Sequence, residues 1–305
     1  MKIRVAIVGA GLAGLTAARR LADAGCDVVV FEKSRGLGGR LATRRTDFGP
    51  IDHGAPGVPT ALGLATGGAF WPDGRDDGRG VGVPGMSALA SALATGIDVR
   101  NGVSVAALSE QSGGWRLTDS DGSDFGPFNA VILAVPSPQA EILLAPFPEM
   151  TADLATAEML PIWTLLLGFN VPTGLPQTIQ ELGAPLEMAI PMLAKPGQTG
   201  AERWTVHARP QWSSTHVEIE KREAAEILLT AFKDAVKLAA QPAYIAVHRW
   251  RYARVGRPLG RPFVETADAT LLAGGDWALG PLATDAVSSG EAMAARILKT
   301  RSVRD

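Results

Sequence analysis

Residues 2–33 read KIRVAIVGAGLAGLTAARRLADAGCDVVVFEK. A short β-branched apolar run leads into glycines and then into apolar residues at helical spacing, and a second apolar run ends on an acid. This order predicts one βαβ unit with two parallel strands. Both predicted strands are almost uninterrupted apolar runs, which is typical of strands buried on both faces.

The glycines between the first strand and the helix have the GxGxxG spacing. Gly9 permits a tight turn, Gly11 lets a pyrophosphate approach the backbone, and Gly14 lets the helix pack close to the strand. Leu12 and Ala13 open the helix, so their amides and the positive end of the helix dipole would face the phosphates. We expect a bound dinucleotide, because strand, glycines, helix and acid occur together in the required order.

Glu32 ends the second strand, where a carboxylate can accept hydrogen bonds from the hydroxyl groups of an adenosine ribose. An acid at this place argues against a ribose 2′-phosphate. Lys33 follows directly and is included among the expected cofactor contacts. The alternative for Lys33 and for the arginines after it is a solvated basic loop.

Residues 33–45, KSRGLGGRLATRR, indicate which dinucleotide binds. This segment resembles the glutathione-reductase-like FAD proteins of the amine oxidase branch, in which a GGR sequence follows the ribose-binding acid. The resemblance implies that the pyrophosphate is contacted by Gly39, Arg40 and Leu41. Nicotinamide-dependent Rossmann dehydrogenases do not usually carry this segment, so we expect FAD as the cofactor.

The composition limits the classes of function. The 305 residues carry a formal net charge of -2 and are 46% hydrophobic, so the chain can bury a substantial core and has no basic field for nucleic acid or an anionic membrane. Cys26 is the single cysteine, and the four histidines lack ligand spacing, so we expect neither a disulfide nor a metal. No apolar run reaches membrane-spanning length, and we expect a cytoplasmic protein.

The remaining segments predict an α/β fold in which a Rossmann-like FAD-binding domain, with its βαβ unit and parallel sheet, is interrupted by an inserted α+β substrate domain on an antiparallel sheet. Two buried runs, residues 129–135 and 269–274, are expected to return to the FAD sheet, and a helix is expected at 285–298. The substrate domain is expected to hold strands at 163–169, 188–192, 204–208 and 244–250 and a helix at 217–238. The predicted FAD-binding domain comprises residues 1–60, 84–137 and 262–305, and the substrate domain residues 61–83 and 138–261.

Residues 274–292, GGDWALGPLATDAVSSGEA, resemble the second FAD signature of the same superfamily. The resemblance implies that Gly275 and Asp276 lie near the ribityl or phosphate part of FAD. It also implies that the next helix points its N-terminus at the flavin ring, where oriented amides stabilise the negative charge of the reduced ring. The residues that match this helix start are Thr284, Asp285 and Ala286; the alternative is an ordinary strand, turn and capped helix.

Two further positions carry less specific signals. Val105 matches the superfamily position whose backbone holds the adenine, and it is otherwise an ordinary strand valine. Trp277 follows Asp276 and is a candidate catalytic residue that would line the flavin face, whereas the alternative places it in the core.

Scattered segments narrow the resemblance to the bacterial renalase-like proteins: GGRLATRR from Gly38, DHGA from Asp52, GMSALASALA from Gly85, QWSSTH from Gln211, HRWRYA from His248 and GGDW from Gly274. Gly54 and Ala55 of the DHGA segment join the expected cofactor contacts. The resemblance implies a noncovalent FAD oxidase that takes hydride from isomers of NAD(P)H and returns NAD(P)+. Oxygen would accept the electrons and form hydrogen peroxide.

Two departures from that family lie beside the expected substrate pocket. Its members usually continue DHGA with QYFT, whereas here PGVPT follows Ala55. They also usually carry VEG before the last helix, where this chain has Ala283, Thr284 and Asp285. The second change puts a carboxylate where a glycine normally lies near the flavin, so the departures bear on the substrate rather than on the fold.

His248 and Trp250 are the remaining catalytic candidates, as residues that line the substrate pocket. Strand alternation places them on one face and Arg249 on the other. A cation there could hold a phosphate or carboxamide, and the tryptophan could stack on a nicotinamide. The alternative is a core strand with a hydrogen-bonded histidine.

Two other functions stay open from the sequence. An amine oxidase would commonly use an aromatic cage and a lysine near the flavin, but the chain has only two tyrosines and no motif places a lysine. A flavin-binding protein without catalytic activity is the alternative from another class. In the enzymatic cases the expected partners are a small-molecule substrate and molecular oxygen, because no second dinucleotide motif is present to deliver electrons.

Overall fold

The structure is a computed structural model in which residues 2–74 and 76–304 are described, with side chains described as far as Thr300. Within this part the chain forms two compact units. Unit 1 comprises residues 2–39, 90–159 and 255–304, and unit 2 comprises residues 40–74, 76–89 and 160–254. No helix among the described residues is both long and apolar enough to cross a membrane.

The strands follow one another as β1 (Arg4–Val8), β2 (Asp27–Glu32), β3 (Thr43–Thr46), β4 (Gly49–Asp52), β5 (Ala69–Trp71), β6 (Arg79–Val81), β7 (Asp98–Asn101), β8 (Val105–Gln111), β9 (Gly114–Asp119), β10 (Asp124–Phe128), β11 (Ala130–Leu133), β12 (Glu158–Phe169), β13 (Gln180–Glu181), β14 (Leu186–Pro191), β15 (Glu202–Ala208), β16 (Tyr244–Arg257), β17 (Phe263–Glu265) and β18 (Leu271–Gly274). The α-helices are α1 (Leu12–Asp23), α2 (Thr60–Ala65), α3 (Ser87–Leu93), α4 (Ser137–Leu143), α5 (Pro148–Leu154), α6 (Pro210–Thr215), α7 (Lys221–Val236), α8 (Asp276–Leu279) and α9 (Ala283–Arg304).

Unit 1 is built on a six-stranded sheet in the order β17-β18-β11-β1-β2-β7. β1 pairs in parallel with β2 and β11, and the parallel pairing continues to β7 on one side and β18 on the other; β17 is antiparallel. The predicted βαβ unit is confirmed by β1, α1 and β2. Gly25, with φ of 82°, follows the C-cap residue Ala24 of α1, a position that favours glycine.

Alternate residues of β1 enter two hydrophobic clusters, one on each face of this sheet. Val8 packs in the cluster that includes Phe128 of the three-stranded sheet β10-β9-β8. Val5 packs in the other cluster, with Leu15 of α1 and Met293 of α9. Burial on both faces is the reason that these strands are uninterrupted apolar runs in the sequence.

Unit 2 contains a five-stranded sheet in the order β13-β14-β15-β12-β16. β14 is antiparallel to β13 and β15, and β15 is antiparallel to β12. One face is covered by α7, whose Leu228 and Phe232 pack in a cluster with Trp163 and Trp204. The combination of a parallel Rossmann-like sheet in unit 1 with this antiparallel sheet confirms the predicted fold class.

The unit boundaries differ from the predicted domain boundaries. Residues 40–60 and 84–89 belong to unit 2. The β3–β4 hairpin in this segment is hydrogen-bonded to β15: Thr205 Oγ1 donates to the carbonyl of Asp52 at 2.6 Å, and Arg203 donates to the carbonyl of Phe48 at 2.7 Å. Residues 138–159 belong to unit 1, since α4 and α5 supply apolar side chains to its core. Residues 255–261 also belong there. Positions 1, 75 and 305 of the predicted domains lie outside the described residues.

Two predicted helices are shifted in the structure. The helix expected at 217–238 begins later, at Lys221, after the separate short helix α6. The last helix starts two residues earlier than predicted, at Ala283, and continues to Arg304.

Candidate functional site

The glycine turn after β1 leaves no room for side chains at two of its three glycines. A Cβ atom at Gly9 would lie 2.5 Å from the carbonyl oxygen of Ala134, and one at Gly14 would lie 2.0 Å from that of Gly9. A Cβ atom at Gly11 would meet nothing within 4 Å. The side of Gly11 that a Cβ atom would occupy therefore borders open space, and a Cβ atom built on Gly39 would lie 3.5 Å from the Cα atom of Gly11. This bare backbone fits the close approach of a pyrophosphate.

The N-terminus of α1 follows this turn directly. No side chain caps it, and its first turn contains no acid. Leu12 and Ala13 are buried, so only their backbone can serve a ligand. The first amides and the positive dipole end of a helix favour an anionic group, and the predicted contact of Leu12 and Ala13 with the phosphates stays a prediction.

The carboxylate of Glu32 connects the glycine turn after β1 with the loop after β2. Its Oε2 atom accepts the amide of Ala10 at 2.9 Å, and its Oε1 atom accepts the amide of Ser34 at 2.8 Å. Each carboxylate oxygen can accept a further hydrogen bond, so the geometry is compatible with ribose binding. Lys33 donates to Gln139 of α4 at 3.1 Å.

Four of the predicted cofactor contacts lie together in unit 2. Arg40 donates from its guanidinium to the carbonyl of Ala253 at 3.1 Å, and its own carbonyl accepts the amide of Ala55 at 2.9 Å. A Cβ atom at Gly54 would lie 2.0 Å from that carbonyl oxygen, and Leu41 is buried. The GGRL and DHGA segments are thus joined through the backbone of Arg40. Val105, at the start of β8 in unit 1, is partly buried against the core, and its predicted adenine contact stays a prediction.

The residues after β18 form the short helix α8, in which Asp276 and Trp277 are both buried. Gly275 donates its amide to Ser289 Oγ at 2.9 Å, and Asp276 begins the short helix α8. Trp277 is fully buried in the unit 1 core, and its indole Nε1 donates to the carbonyl of Val135 at 2.9 Å. The predicted catalytic role of Trp277 is therefore wrong, because neither its ring face nor its N–H group is available to a ligand.

Asp285 caps the helix in which it lies. Its Oδ2 atom accepts the amide of Leu282 at 2.8 Å, which is the reciprocal half of a capping box. The amides of Asp285 and Ala286 in turn donate to the carbonyl of Leu282. The carboxylate that departs from the family pattern is thus explained by helix capping, and Thr284 beside it is exposed.

Three rings form a compact cluster in unit 2. The centroids of His248 and Trp250 are 4.2 Å apart, and the imidazole of His53 stacks on Trp250 at 5.3 Å and meets His248 edge-on at 5.0 Å. The indole Nε1 of Trp250 donates to the carbonyl of His53 at 2.8 Å. The contact between His248 and Trp250 agrees with their predicted position on one strand face. Arg249 is directed elsewhere, to the carbonyl of Val217 and to Glu218.

The histidines of this region are held in their neutral form. Burial, helped by the charge of Arg44, lowers the pKa of His53 from 6.5 to about 4. Burial and the neighbouring His53 lower the pKa of His248 to about 4 as well. His207 is buried on β15 with its Nδ1 atom 2.9 Å from Thr164 Oγ1, and burial lowers its pKa to about 4. At neutral pH the cluster therefore offers uncharged rings.

A buried ion pair lies next to this cluster in the chain. Lys195 donates to Asp52 Oδ2 at 2.7 Å, while Asp52 Oδ1 accepts Thr43 Oγ1 at 2.7 Å and the amide of Met86 at 2.8 Å. Both charged side chains are almost completely buried. The carboxylate is thus fully engaged within unit 2.

His53 lies in the DHGA segment, whose glycine and alanine are expected cofactor contacts, but no role was predicted for the histidine. The DH pair before a glycine was the available signal for it. Lys195 and His207 belong to no sequence motif, because their partners are distant in the sequence. Asp52 lies 143 residues from Lys195, and Thr164 lies 43 residues from His207.

Comparison with known proteins identifies the family. A family model described as flavin-containing amine oxidoreductase matches residues 60–298, well over half of the chain. The chain belongs to this family. A model of an NAD(P)-binding Rossmann-like domain matches residues 7–62, which contain the glycine turn and Glu32. Membership confirms FAD as the expected cofactor and places the chain in a family of flavin-dependent oxidoreductases.

Individual relatives are similar either in a short segment or in fold. A hydroxyneurosporene desaturase from Cereibacter sphaeroides is 46% identical over 61 residues, which are 20% of this chain and 12% of the desaturase. Two solved structures are 14% identical: one assigned as a protoporphyrinogen oxidase from Exiguobacterium sp. 255-15 (TM-score 0.74, covering 97% of this chain and 99% of the other), and cyclohexylamine oxidase from Brevibacterium oxydans IH-35A (TM-score 0.73, covering 100% of both). At that identity they support the fold alone.

Proposed function

We propose that this protein is a renalase-like oxidase that transfers hydride from dihydronicotinamide substrates, isomers of NAD(P)H, to noncovalently bound FAD. The observation that carries the proposal is the cluster of His53, His248 and Trp250, whose uncharged rings suit a planar, uncharged dihydropyridine. Several segments that resemble renalase-like proteins support it, and HRWRYA contains two of the three rings.

FAD would be held by the two glycine turns and the acid of unit 1. Gly11 and Gly39 would allow the pyrophosphate to approach the backbone, and Glu32 would accept the ribose hydroxyl groups. The contacts expected from the sequence at Arg40, Leu41, Gly54 and Ala55 stay predictions. The single cysteine, Cys26, is buried in unit 1 and lies far in the sequence from the C-terminal signature, which supports noncovalent binding.

In hydride transfer to a flavin, the main contribution of the protein is to orient the substrate. When bound, FAD supplies the hydride acceptor and passes the electron pair to oxygen. The C–H bond of the dihydropyridine breaks, the substrate leaves as the aromatic pyridinium, and oxygen with one proton becomes hydrogen peroxide. His248 and Trp250 would bind the ring by stacking, and a neutral His248 would add one hydrogen-bond donor without placing a positive charge beside the product pyridinium.

An amine oxidase is the second candidate, because the family description names amines. Lys195 is a buried lysine of the kind that the sequence could not place, but its ammonium group donates to Asp52. The carboxylates of Asp52, Glu187 and Glu218 are paired with Lys195, Arg254 and Arg251. Because these carboxylates are already paired, the region is less suited to attract a protonated amine than to bind an uncharged ring.

Oxygen consumption by the purified FAD-loaded protein tests the proposal. We expect 2- and 6-dihydro isomers of NAD(P)H to drive oxygen uptake with one hydrogen peroxide formed for each NAD(P)+ produced. Ordinary NADPH and amines such as cyclohexylamine should give no uptake above the background without substrate. Uptake with amines alone would support the second candidate, and a protein that retains FAD but consumes oxygen with none of them would favour a non-catalytic flavoprotein.

A further inference from the structure

Arg44 of β3 is a partly buried arginine without a partner for its charge. Among the residues that the structure describes, no carboxylate or carbonyl forms an ion pair or side-chain hydrogen bond with its guanidinium group. Other arginines of unit 2 are paired: Arg254 contacts both carboxylate oxygens of Glu187, and Arg251 those of Glu218. Because an arginine that is withdrawn from water is normally paired, the guanidinium of Arg44 needs an explanation.

The register of the β3–β4 hairpin places Arg44 beside the ring cluster. Arg44 lies opposite Ile51, and directly opposed residues of an antiparallel pair share one face. His53 follows Ile51 by two positions, so its side chain points to that same face. The positive charge of Arg44 is also close enough to lower the pKa of both His53 and His248. Arg44 is thus a charged neighbour of the rings.

The nearby carboxylates do not neutralise this charge. Both oxygens of Asp52 accept hydrogen bonds, from Lys195 on one side and from Thr43 and Met86 on the other. Asp52 lies opposite Thr43, on the other face of the hairpin. A second unsatisfied group lies in the same cluster, since the buried Nδ1 atom of His53 forms no hydrogen bond of standard geometry in the described part of the chain. The surroundings of the rings therefore contain one positive charge without a counter-ion among the described residues, on Arg44, and one imidazole nitrogen without a hydrogen bond, on His53.

We propose that Arg44 is an anion-binding residue of the substrate site, where it takes a carboxylate or phosphate group of a ligand whose ring lies against His248 and Trp250. A guanidinium group presents two parallel donors that match either anion. The inference rests on the proposed function and deepens it, because a phosphate is the anionic group that an isomer of NAD(P)H carries, whereas preference for a carboxylate would point to a nicotinate-like substrate. It also disfavours protonated amines, whose charge Arg44 would repel.

Calorimetric titration of the FAD-loaded protein tests this role without turnover. Two matched ligand pairs separate the sources of the anion: nicotinate against nicotinamide for a carboxylate, and nicotinamide mononucleotide against nicotinamide riboside for a phosphate. Arg44→Gln should weaken binding of the anionic member of at least one pair by roughly 10- to 100-fold and change the neutral-group member by less than about twofold. A loss of affinity that is confined to one ligand pair identifies whether the anionic group is a carboxylate or a phosphate.

Arg45→Gln is the matched control, because Arg45 is the exposed next residue of β3 and its side chain points to the opposite face. It should alter neither pair by more than about twofold. Arg44→Lys should restore part of the anion affinity, and all variants should keep the flavin content of the wild type, which excludes misfolding.

Three results would overturn the assignment: wild-type protein that binds the anionic members no better than their partners, equal losses in the Arg44 and Arg45 variants, or equal losses for both members of a pair. Failure of the proposed function would look different. A protein that oxidises no dihydronicotinamide, yet loses anion binding on Arg44→Gln alone, would keep the anion site and refute only the reaction.

Discussion

Gly11 and Gly14 lie three residues apart and are glycines for different physical reasons. A Cβ atom at Gly14 would lie 2.0 Å from the carbonyl oxygen of Gly9, whereas one at Gly11 would meet nothing. Gly11 also has φ of -79°, which any residue adopts. Of these two residues only Gly14 is required to be glycine by the fold, and we propose that glycine at Gly11 serves the approach of the ligand.

Alanine substitutions separate these two reasons. Gly14→Ala should lower the free energy of unfolding by about 3 kcal/mol, because the clash with backbone outweighs the gain of about 1 kcal/mol in helix propensity. Gly11→Ala should change it by less than about 1 kcal/mol but weaken FAD binding at least about tenfold. Urea unfolding of the apoprotein and titration with FAD measure the two effects. A Gly11→Ala protein with wild-type FAD affinity would contradict the pyrophosphate assignment.

Single residues also mark the limit of prediction from sequence. Glu32 was predicted from a local rule, the acid that ends the second strand, and the structure places it at the end of β2. Trp277 had two sequence interpretations, and its burial decides for the core. From the sequence, Asp285 was interpreted as a change beside the substrate pocket. Its contact with Leu282, only three residues away, could not be predicted because it depends on where the helix begins.

At the scale of elements, the β3–β4 hairpin is held by the ion pair of Asp52 and Lys195. Each residue is at most 3% exposed, and the ammonium group also lies 5.5 Å from the centroid of Trp71. Removing one partner of a buried pair leaves an uncompensated charge, which costs more than the pair itself contributes. The hairpin carries Arg44 and leads into His53, so the pair positions the ring cluster.

Lys195→Met should therefore lower the free energy of unfolding by about 3–5 kcal/mol. The double variant Asp52→Asn with Lys195→Met should recover part of this loss, because an amide oxygen can still accept the hydrogen bonds of Thr43 and Met86. Arg222→Met is the control, since Arg222 pairs with Glu226 on an exposed surface and should cost less than about 0.5 kcal/mol. Equal losses in Lys195→Met and Arg222→Met would refute the anchoring role.

Elements were predictable where one local pattern decides them. The sequence of β1, α1 and β2 and the return strands β11 and β18 appear as expected, because buried parallel strands are continuous apolar runs. The membership of residues 40–60 in unit 2 was not predictable, since it depends on contacts such as that between Thr205 and Asp52, 153 residues apart. Lys195 was missed for the same reason.

At the scale of the whole molecule, the buried histidines couple stability to pH. His53 and His207 are each about 7% exposed, and both have pKa values lowered from 6.5 to about 4. Burial is the main cause for each; positive charge contributes from Arg44 at His53 and from Arg254 and Lys195 at His207. The unfolded chain binds protons below pH 6.5 while the folded chain does not, so stability is complete above pH 6.5 and falls between pH 6.5 and 4.

Acidification from pH 7 to 5 should thus remove about 2 kcal/mol of unfolding free energy for each of these two histidines. His207→Gln should lose about 2 kcal/mol less than the wild type over this interval, because glutamine does not titrate and can still bond to Thr164. Urea unfolding at both pH values measures the difference. An identical pH dependence in the variant would show that His207 is not held neutral by the fold.

Anaerobic reduction of the bound flavin tests the proposed hydride transfer directly, because it does not depend on the final electron acceptor. The FAD-loaded protein is mixed separately with 2- and 6-dihydro isomers of NAD(P)H, ordinary NADPH and cyclohexylamine, and the absorbance of oxidised flavin is followed. Rapid bleaching by an isomer, with no bleaching by ordinary NADPH or the amine, is the predicted result. Bleaching by the amine alone, or by none of these compounds, would contradict the assignment of a dihydronicotinamide oxidase.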